Sequence, residues 1–188
     1  MTTSSESDLD WTEALQWIGR NLVGGPVLGA DPVERSAIRR QLEVLEMDCP
    51  LHYDDGVAKR CGHPGIIAPY HMLGVFDWGR MWEPGLPTRW VTKDPDFTIQ
   101  PLPQGASISV PNPGTTAFVT DLESEYPRPL YVGDRVILTA NTLVEVNPRK
   151  TRVGDGAFMT YESTYENQRG EIIGKTRMTL YSYVPNSL

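Results

Sequence analysis

Asp48-Cys49-Pro50-Leu51-His52 places a carboxylate and an imidazole within five residues, where a helix gives way to a turn. Such a pair can hold one water and exchange protons with it, provided the two pKa values suit opposite tasks near neutral pH. Each residue also has an ordinary structural use. A histidine after Pro-Leu commonly donates to a backbone carbonyl, and an aspartate before a proline-containing turn commonly accepts from nearby amides. Cys49 has no activating neighbour beyond His52, so no nucleophilic part is assigned to it. His63 and His71 are not at ligand spacing with each other or with His52, and no Cys/His set has the spacing of a structural zinc site. No metal and no other cofactor is expected.

The elements that position these residues belong to a chain of 188 residues, enough for one compact domain with a real core. A net charge of −7 leaves no basic surface for nucleic-acid phosphates or anionic lipid headgroups. Neither is an expected partner. Two cysteines, Cys49 and Cys61, are too few for a disulfide framework and read as reduced thiols in a cytoplasmic protein. The polar, acidic start is unlike a signal peptide, and no apolar run reaches bilayer length.

Residues 1–30 read as an N-terminal extension with a short helix over Trp11–Leu22, ended by Gly24-Gly25-Pro26. Residues 31–188 read as a single domain. Asp31 as N-cap, Pro32 at the first helical position and Glu34 three residues on predict a capping box, followed by a stripe of Ile38, Leu42 and Leu45. Ala68–Trp82 carries Met72, Leu73, Val75, Phe76, Trp78, Met81 and Trp82 around most of a helix, which predicts a buried helix; Gly74 would admit a close backbone. A proline-rich insertion at about 84–113 holds seven prolines.

Beyond it the period becomes two. Thr115–Glu125, Arg135–Val146, Ala157–Gln168 and Ile172–Val184 predict strands, separated by turn signals that include Asn147-Pro148, Gly154-Asp155-Gly156 and Asn167-Gln168-Arg169-Gly170. The expected class is α+β, an antiparallel sheet wrapped around a central buried helix.

At this point the chain resembles the MaoC-like hot-dog family, the R-specific enoyl-CoA hydratases and 3-hydroxyacyl-thioester dehydratases, in the branch of the dehydratase N-terminal domain. The resemblance rests on Cys49-Pro50-Leu51-His52-Tyr53-Asp54 with Ala58, on Pro64-Gly65-Ile66-Ile67-Ala68-Pro69, and on Arg128-Pro129-Leu130-Tyr131-Val132-Gly133-Asp134-Arg135-Val136. A last block runs from Tyr161-Glu162-Ser163-Thr164-Tyr165-Glu166-Asn167-Gln168 through Thr179-Leu180-Tyr181. The order of these blocks implies a hot-dog fold.

The family's motif is similar to Gly-Asp-x-Asn-Pro-Leu-His. Aligned on Pro50-Leu51-His52, it puts His52 on the catalytic histidine, Cys49 on the asparagine and Met47 on the acid, with Asp48 one position late. One position on a helix turns a side chain by about 100°. The oxyanion donor falls in the region of Ala68, Pro69 and Tyr70, where Pro69 has no N–H; losing such a donor costs about 10²–10³ in turnover, unless the N–H of Tyr70 substitutes.

What the resemblance implies is therefore a hydro-lyase subunit acting on an acyl-CoA or acyl-carrier-protein thioester. The primary expectation is a degenerate, tunnel-shaping half in a hetero-oligomer with a second MaoC-like chain, with a homodimer as the alternative. Tyr70, Phe76, Trp78 and Trp82, with Trp90, would line the acyl tunnel, although such clusters are more often core. Arg128, Lys150 and Arg152 are candidates to meet coenzyme A phosphates. A self-sufficient hydratase using His52 with Asp48 or Asp54, and a non-catalytic acyl-thioester-binding protein, are the competing expectations. A thioesterase would need a carboxylate near the central helix, where only Asp77 stands.

Overall fold

The computed structural model describes residues 7–80, 82–86 and 108–186. Most of the proline-rich insertion, with Trp90, and Met81 lie outside the described residues.

In chain order the elements are α1 (Thr12–Leu15), β1 (Val27–Leu28), α2 (Arg35–Leu45), a 3-10 turn (Pro50–His52) and α3 (Asp55–Arg60). Then come β2 (Ile67–Ala68), a second 3-10 turn (Tyr70–Met72), α4 (Leu73–Phe76), β3 (Thr116–Glu125), β4 (Leu130–Tyr131), β5 (Ile137–Lys150), β6 (Gly154–Glu166) and β7 (Ile172–Pro185). Five strands form one antiparallel sheet in the order β1-β5-β6-β7-β3, and β2 pairs with β4 in a small second sheet. This curled antiparallel sheet with few helices is a hot-dog fold.

The sheet holds two cores on one face. The first gathers Val33, Ile38 and Leu42 around α2, Met72, Leu73 and Phe76 around α4, Val136 just before β5 and Ile173 of β7. The second seats Trp11, Ala14 and Leu22 of the N-terminal segment on Leu143, Ala157 and Met159. Each fully buried aliphatic side chain contributes about 1.5–3 kcal/mol by leaving water.

The four long strands fall where period-two patterning predicts them, because residues that alternate between a packed and a solvated face fit a pleat. Two predicted turns are corrected. β5 runs through Asn147-Pro148 to Lys150, and Gly154-Asp155-Gly156 begins β6. Pro148 is tolerated because it lies past the reach of β1, on the edge of β5 that has no paired strand among the described residues.

The helices depart further. α1 is a single turn, with Leu15 and Ile18 exposed. The capping box at Asp31 does not form: α2 starts at Arg35 with Glu34 as its N-cap. Val33 is the reason, since its N–H donates to Asp134 at 2.8 Å while its carbonyl accepts from Gly133 at 2.9 Å. Backbone tied into an extended crossing cannot also begin a helix. Leu45 is exposed, and the helix stops at Glu46, whose φ is 49°.

The predicted helix over Ala68–Trp82 shrinks to the 3-10 turn and α4. Ala68 is held in β2 opposite Leu130, and Trp78 gives its carbonyl to Ala30 N–H at 2.8 Å. Val75, Trp78 and Trp82 are consequently exposed rather than central. Nor does Gly74 admit a neighbour, as nothing lies within 4 Å of a Cβ placed there. Close approaches to the helical layer occur instead at Gly29, whose Cβ would stand 1.9 Å from the Phe76 carbonyl oxygen, and at Gly174, 2.4 Å from Leu73 Cδ2, while Gly114, Gly154 and Gly156 are as tight within the sheet.

Candidate active site

His52 closes the first 3-10 turn, with its own N–H bonded to Cys49 at 3.1 Å. Its Nδ1 lies 2.8 Å from the Ile67 carbonyl oxygen. A carbonyl only accepts, so Nδ1 carries the proton, and the neutral ring then presents Nε2 as a lone pair. The half-buried imidazole is thereby fixed in orientation and tautomer beside β2.

Asp48 is exposed, and no hydrogen bond or ion pair joins it to His52. The register around it is held from both sides: Met47 donates its N–H to Leu42 at 3.1 Å, and its carbonyl accepts from the Tyr53 hydroxyl at 2.9 Å. Asp54 is engaged elsewhere. Its Oδ1 accepts from Gly56 and Val57 N–H at 2.6 and 3.1 Å and caps α3.

Asp55, which the sequence did not single out, ties this region together. Its Oδ1 accepts from Ile66 N–H at 3.0 Å, and its other oxygen pairs with Arg35 of α2. The Ile66 amide, and then the Arg35 guanidinium, hold its carboxyl below the usual range. α2, α3 and the residue leading into the strand whose carbonyl orients His52 meet at this one side chain. Lys59 and Arg60 close α3 favourably for its dipole.

Pro69 precedes the second 3-10 turn with φ −54°, and the first N–H consumed by that turn is Met72, bonded to Pro69 at 2.9 Å. The amides of Tyr70 and His71 therefore lead the turn as donors, next in the chain to the Ile67–Ala68 strand. The Tyr70 ring stacks on Tyr126 at 5.1 Å.

Phe76, Trp78 and Trp82 line an open cleft of about 690 Å³ with Val75, Ala37 and Pro32, while Asp31, Glu34 and Arg80 supply its polar lining. Tyr70 is not among the lining residues. Asp77, between Phe76 and Trp78 in sequence, is held by Tyr165; burial pushes its pKa up to about 6, and burial together with the nearby Asp77 charge pushes Tyr165 to about 12. The sole carboxylate in Ala68–Trp82 was the available signal for it.

The other candidates are dispersed. His63 Nδ1 lies 3.3 Å from the Tyr131 hydroxyl and His71 is exposed. Arg128 pairs with Glu171 and Lys150 with Asp8. Among the described residues no three His, Cys, Asp or Glu side chains converge as metal ligands, and no helix is long and apolar enough to cross a membrane.

Known proteins agree with this architecture. The probable enoyl-CoA hydratase alpha subunit of Thermomonospora curvata is 29% identical over 183 residues, covering 94% of this chain and 53% of that protein. The 3-oxo-4,17-pregnadiene-20-carboxyl-CoA hydratase alpha subunit of Mycobacterium tuberculosis is 31% identical over 141 residues, covering 75% and 42%. The chain thus spans about half the length of these curated relatives.

Among solved structures, a chain of the ChsH1–ChsH2 complex from Mycobacterium tuberculosis superposes with TM-score 0.62 at 22% identity, covering 87% of this chain and 85% of that one. A MaoC-like dehydratase from Rhodospirillum rubrum gives 0.53 at 24%, covering 88% and 94%. At those identities the structures speak for the fold. The FAS1-like dehydratase domain region matches residues 16–176, nearly the whole curled sheet with its helices, and the chain belongs to that family, within the MaoC-like hot-dog proteins.

Proposed function

We propose that this chain is the substrate-shaping half of a hydro-lyase that adds water to, or removes it from, an enoyl or 3-hydroxyacyl thioester, and that a second MaoC-like chain supplies the acid–base pair. One observation carries the reading: the histidine of the motif is held in place, but among the described residues no carboxylate is bonded to it. Asp48 points to solvent without a bond to His52, and Asp54 caps α3. Two relatives named as hydratase alpha subunits, and a structural neighbour solved as a two-protein complex, support the presence of a second subunit. In this reading the Trp78/Trp82 cleft lies where the acyl group is shaped, and the carrier is coenzyme A or an acyl carrier protein.

The sheet also supports a partner. All ten residues of β3 are exposed, and a register shift at Thr120 puts Val119 opposite Leu180 and Leu122 opposite Met178. Leu180 packs against the second core, so Val119 and Leu122 extend that apolar face beyond the chain's own helices. Such an edge is normally covered.

The test is hydration of crotonyl-CoA and of bulkier enoyl-CoA substrates, followed by loss of the conjugated thioester absorbance. The purified chain is expected to be inactive alone. It should gain activity with a hot-dog chain bearing an intact Gly-Asp-x-Asn-Pro-Leu-His motif, and His52→Ala should leave the turnover of that pair within about twofold.

A second reading follows from the His52 tautomer. With Nδ1 donating to Ile67 and Tyr70 N–H leading its turn, His52 would act as base in a self-sufficient hydratase. Turnover by the chain alone that vanishes in His52→Ala would establish this second reading and end the first.

A further inference from the structure

Two aromatic residues of the open cleft, Phe76 and Trp78, flank a residue that does not line it, Asp77. α4 is a single turn that ends at Phe76 with Asp77 as its C-cap, and so short a helix cannot by itself hold their side chains in place. Ties to two other elements do so. The segment ahead of α2 supplies the first: a Cβ at Gly29 would stand 1.9 Å from the Phe76 carbonyl oxygen, and the Ala30 N–H donates to the Trp78 carbonyl at 2.8 Å. Gly29 and Ala30 are themselves anchored, their carbonyls accepting from Arg135 at 2.8 and 3.2 Å. β6 supplies the second, where the Tyr165 hydroxyl donates to the half-buried Asp77 carboxylate.

The two ties differ in kind. The bond to Ala30 joins backbone to backbone and persists whatever the side chains are. The bond to Asp77 depends on two side chains, and Tyr165 is held ready for it: its hydroxyl also bonds to Ser163 of β6 and Thr176 of β7, which stand opposite each other in the register. Its ring packs against the first core. To move the end of α4, the chain must give up a partly buried, charge-assisted hydrogen bond. The backbone from which Phe76 and Trp78 project is fixed accordingly.

We infer that Asp77 and Tyr165 are positioning residues of the cleft: their bond sets the span between Phe76 and Trp78 and the Pro32 and Ala37 that share the cleft, and with it the length of acyl group that is accepted. The inference rests on the reading of this cleft as an acyl site and adds the residues that tune it. Neither side chain lines the cleft, so both act through the two aromatic residues.

The experiment is isothermal titration calorimetry of the full chain with butyryl-CoA and decanoyl-CoA, which differ only in acyl length. Wild type is expected to prefer decanoyl-CoA by about tenfold or more, because the added methylene groups leave water in the cleft. Tyr165→Phe, which removes one hydroxyl and keeps the ring, should reduce that preference to about threefold or less. Asp77→Asn retains an oxygen that accepts from Tyr165 and should stay within about twofold of the wild-type ratio. A merely structural tie would lower the melting temperature of Tyr165→Phe and leave the ratio unchanged, which overturns the inference, as does an Asp77→Asn ratio as low as that of Tyr165→Phe. Should circular dichroism find Tyr165→Phe unfolded, Asp77→Leu, which deletes the acceptor instead, decides by the same ratio. Equal affinity of wild type for the two thioesters, or none for either, would end the acyl reading of the cleft and this inference with it; a wild-type preference that persists in Tyr165→Phe ends this inference alone.

Discussion

At the scale of single residues, Asp77 is the group most out of balance with its surroundings. Burial raises its pKa to about 6, and the hydrogen bond from Tyr165 opposes that shift without cancelling it. A carboxyl with a raised pKa binds its proton more tightly in the folded than in the unfolded chain. Its stabilising share is therefore complete below about pH 4 and is lost as pH rises through about 6, a swing of about 3 kcal/mol at most. Asp77→Asn should accordingly be more stable than wild type at pH 7, by about 1–3 kcal/mol, and indistinguishable near pH 4. Urea unfolding at the two pH values checks this, and a difference that grows toward acid would refute it. Glu171 has the opposite sign. Asn167, Arg128 and Arg169 hold its pKa down to about 2, so its stabilising share is lost as pH falls below the ordinary carboxylate range.

The residue scale is also where the sequence was least legible. His52 could be picked out by type and spacing, but its bond to Ile67 joins residues 15 apart in sequence, and no local pattern encodes it. Asp55 escaped notice for a related reason. Its roles toward Ile66 and Arg35 exist only once two turns and a helix have folded against each other.

Among the elements, the long strands and the body of α2 were legible, whereas the start of α2, the extents of α1 and α4 and the two-residue strands were not. The alternation in Thr116–Glu125, Ile137–Lys150, Gly154–Glu166 and Ile172–Pro185 reports burial that the sheet itself creates. The α2 start and the short α4 were instead decided by distant backbone bonds, Val33 to Asp134 and Ala30 to Trp78. Tertiary ties of this kind override caps and apolar periodicity.

The same ties locate the tightest packing. Gly29→Ala would drive its Cβ into the Phe76 carbonyl, which is backbone and cannot rotate aside, and is expected to destabilise by about 2 kcal/mol or more. Gly74→Ala meets open space inside α4 and should stabilise by about 0.5–1 kcal/mol. Thermal melts of the two variants test the assignment of the close approach, and a reversal of their signs would disprove it.

For the whole molecule, protection is distributed by neighbours. Among the described residues β6 and β7 have a paired strand on both sides, whereas β3 has one on a single side only. In hydrogen exchange of the isolated chain, amides of β6 and central β7 should be slowest and the outward-facing amides of β3 fastest among the long strands. Adding a partner should slow β3 selectively. Uniform protection across all four long strands in the isolated chain would mean that its edge is already covered.

The opposite margin of the sheet has a different fate. Residues 19–28 lie along β5 through the bond from Gly19 to Leu143, the bridge from Asn21 to Thr142 and the β1 pairing at Ile137–Leu138. Past that reach stands Pro148, which has no N–H to offer an incoming strand. Strand addition at this margin is therefore blocked, partly by the chain's own N-terminal segment and partly by one imino acid. A sheet able to grow in a single direction cannot propagate into a fibril: once β3 is occupied, assembly terminates, and the complex is finite however high the protein concentration rises.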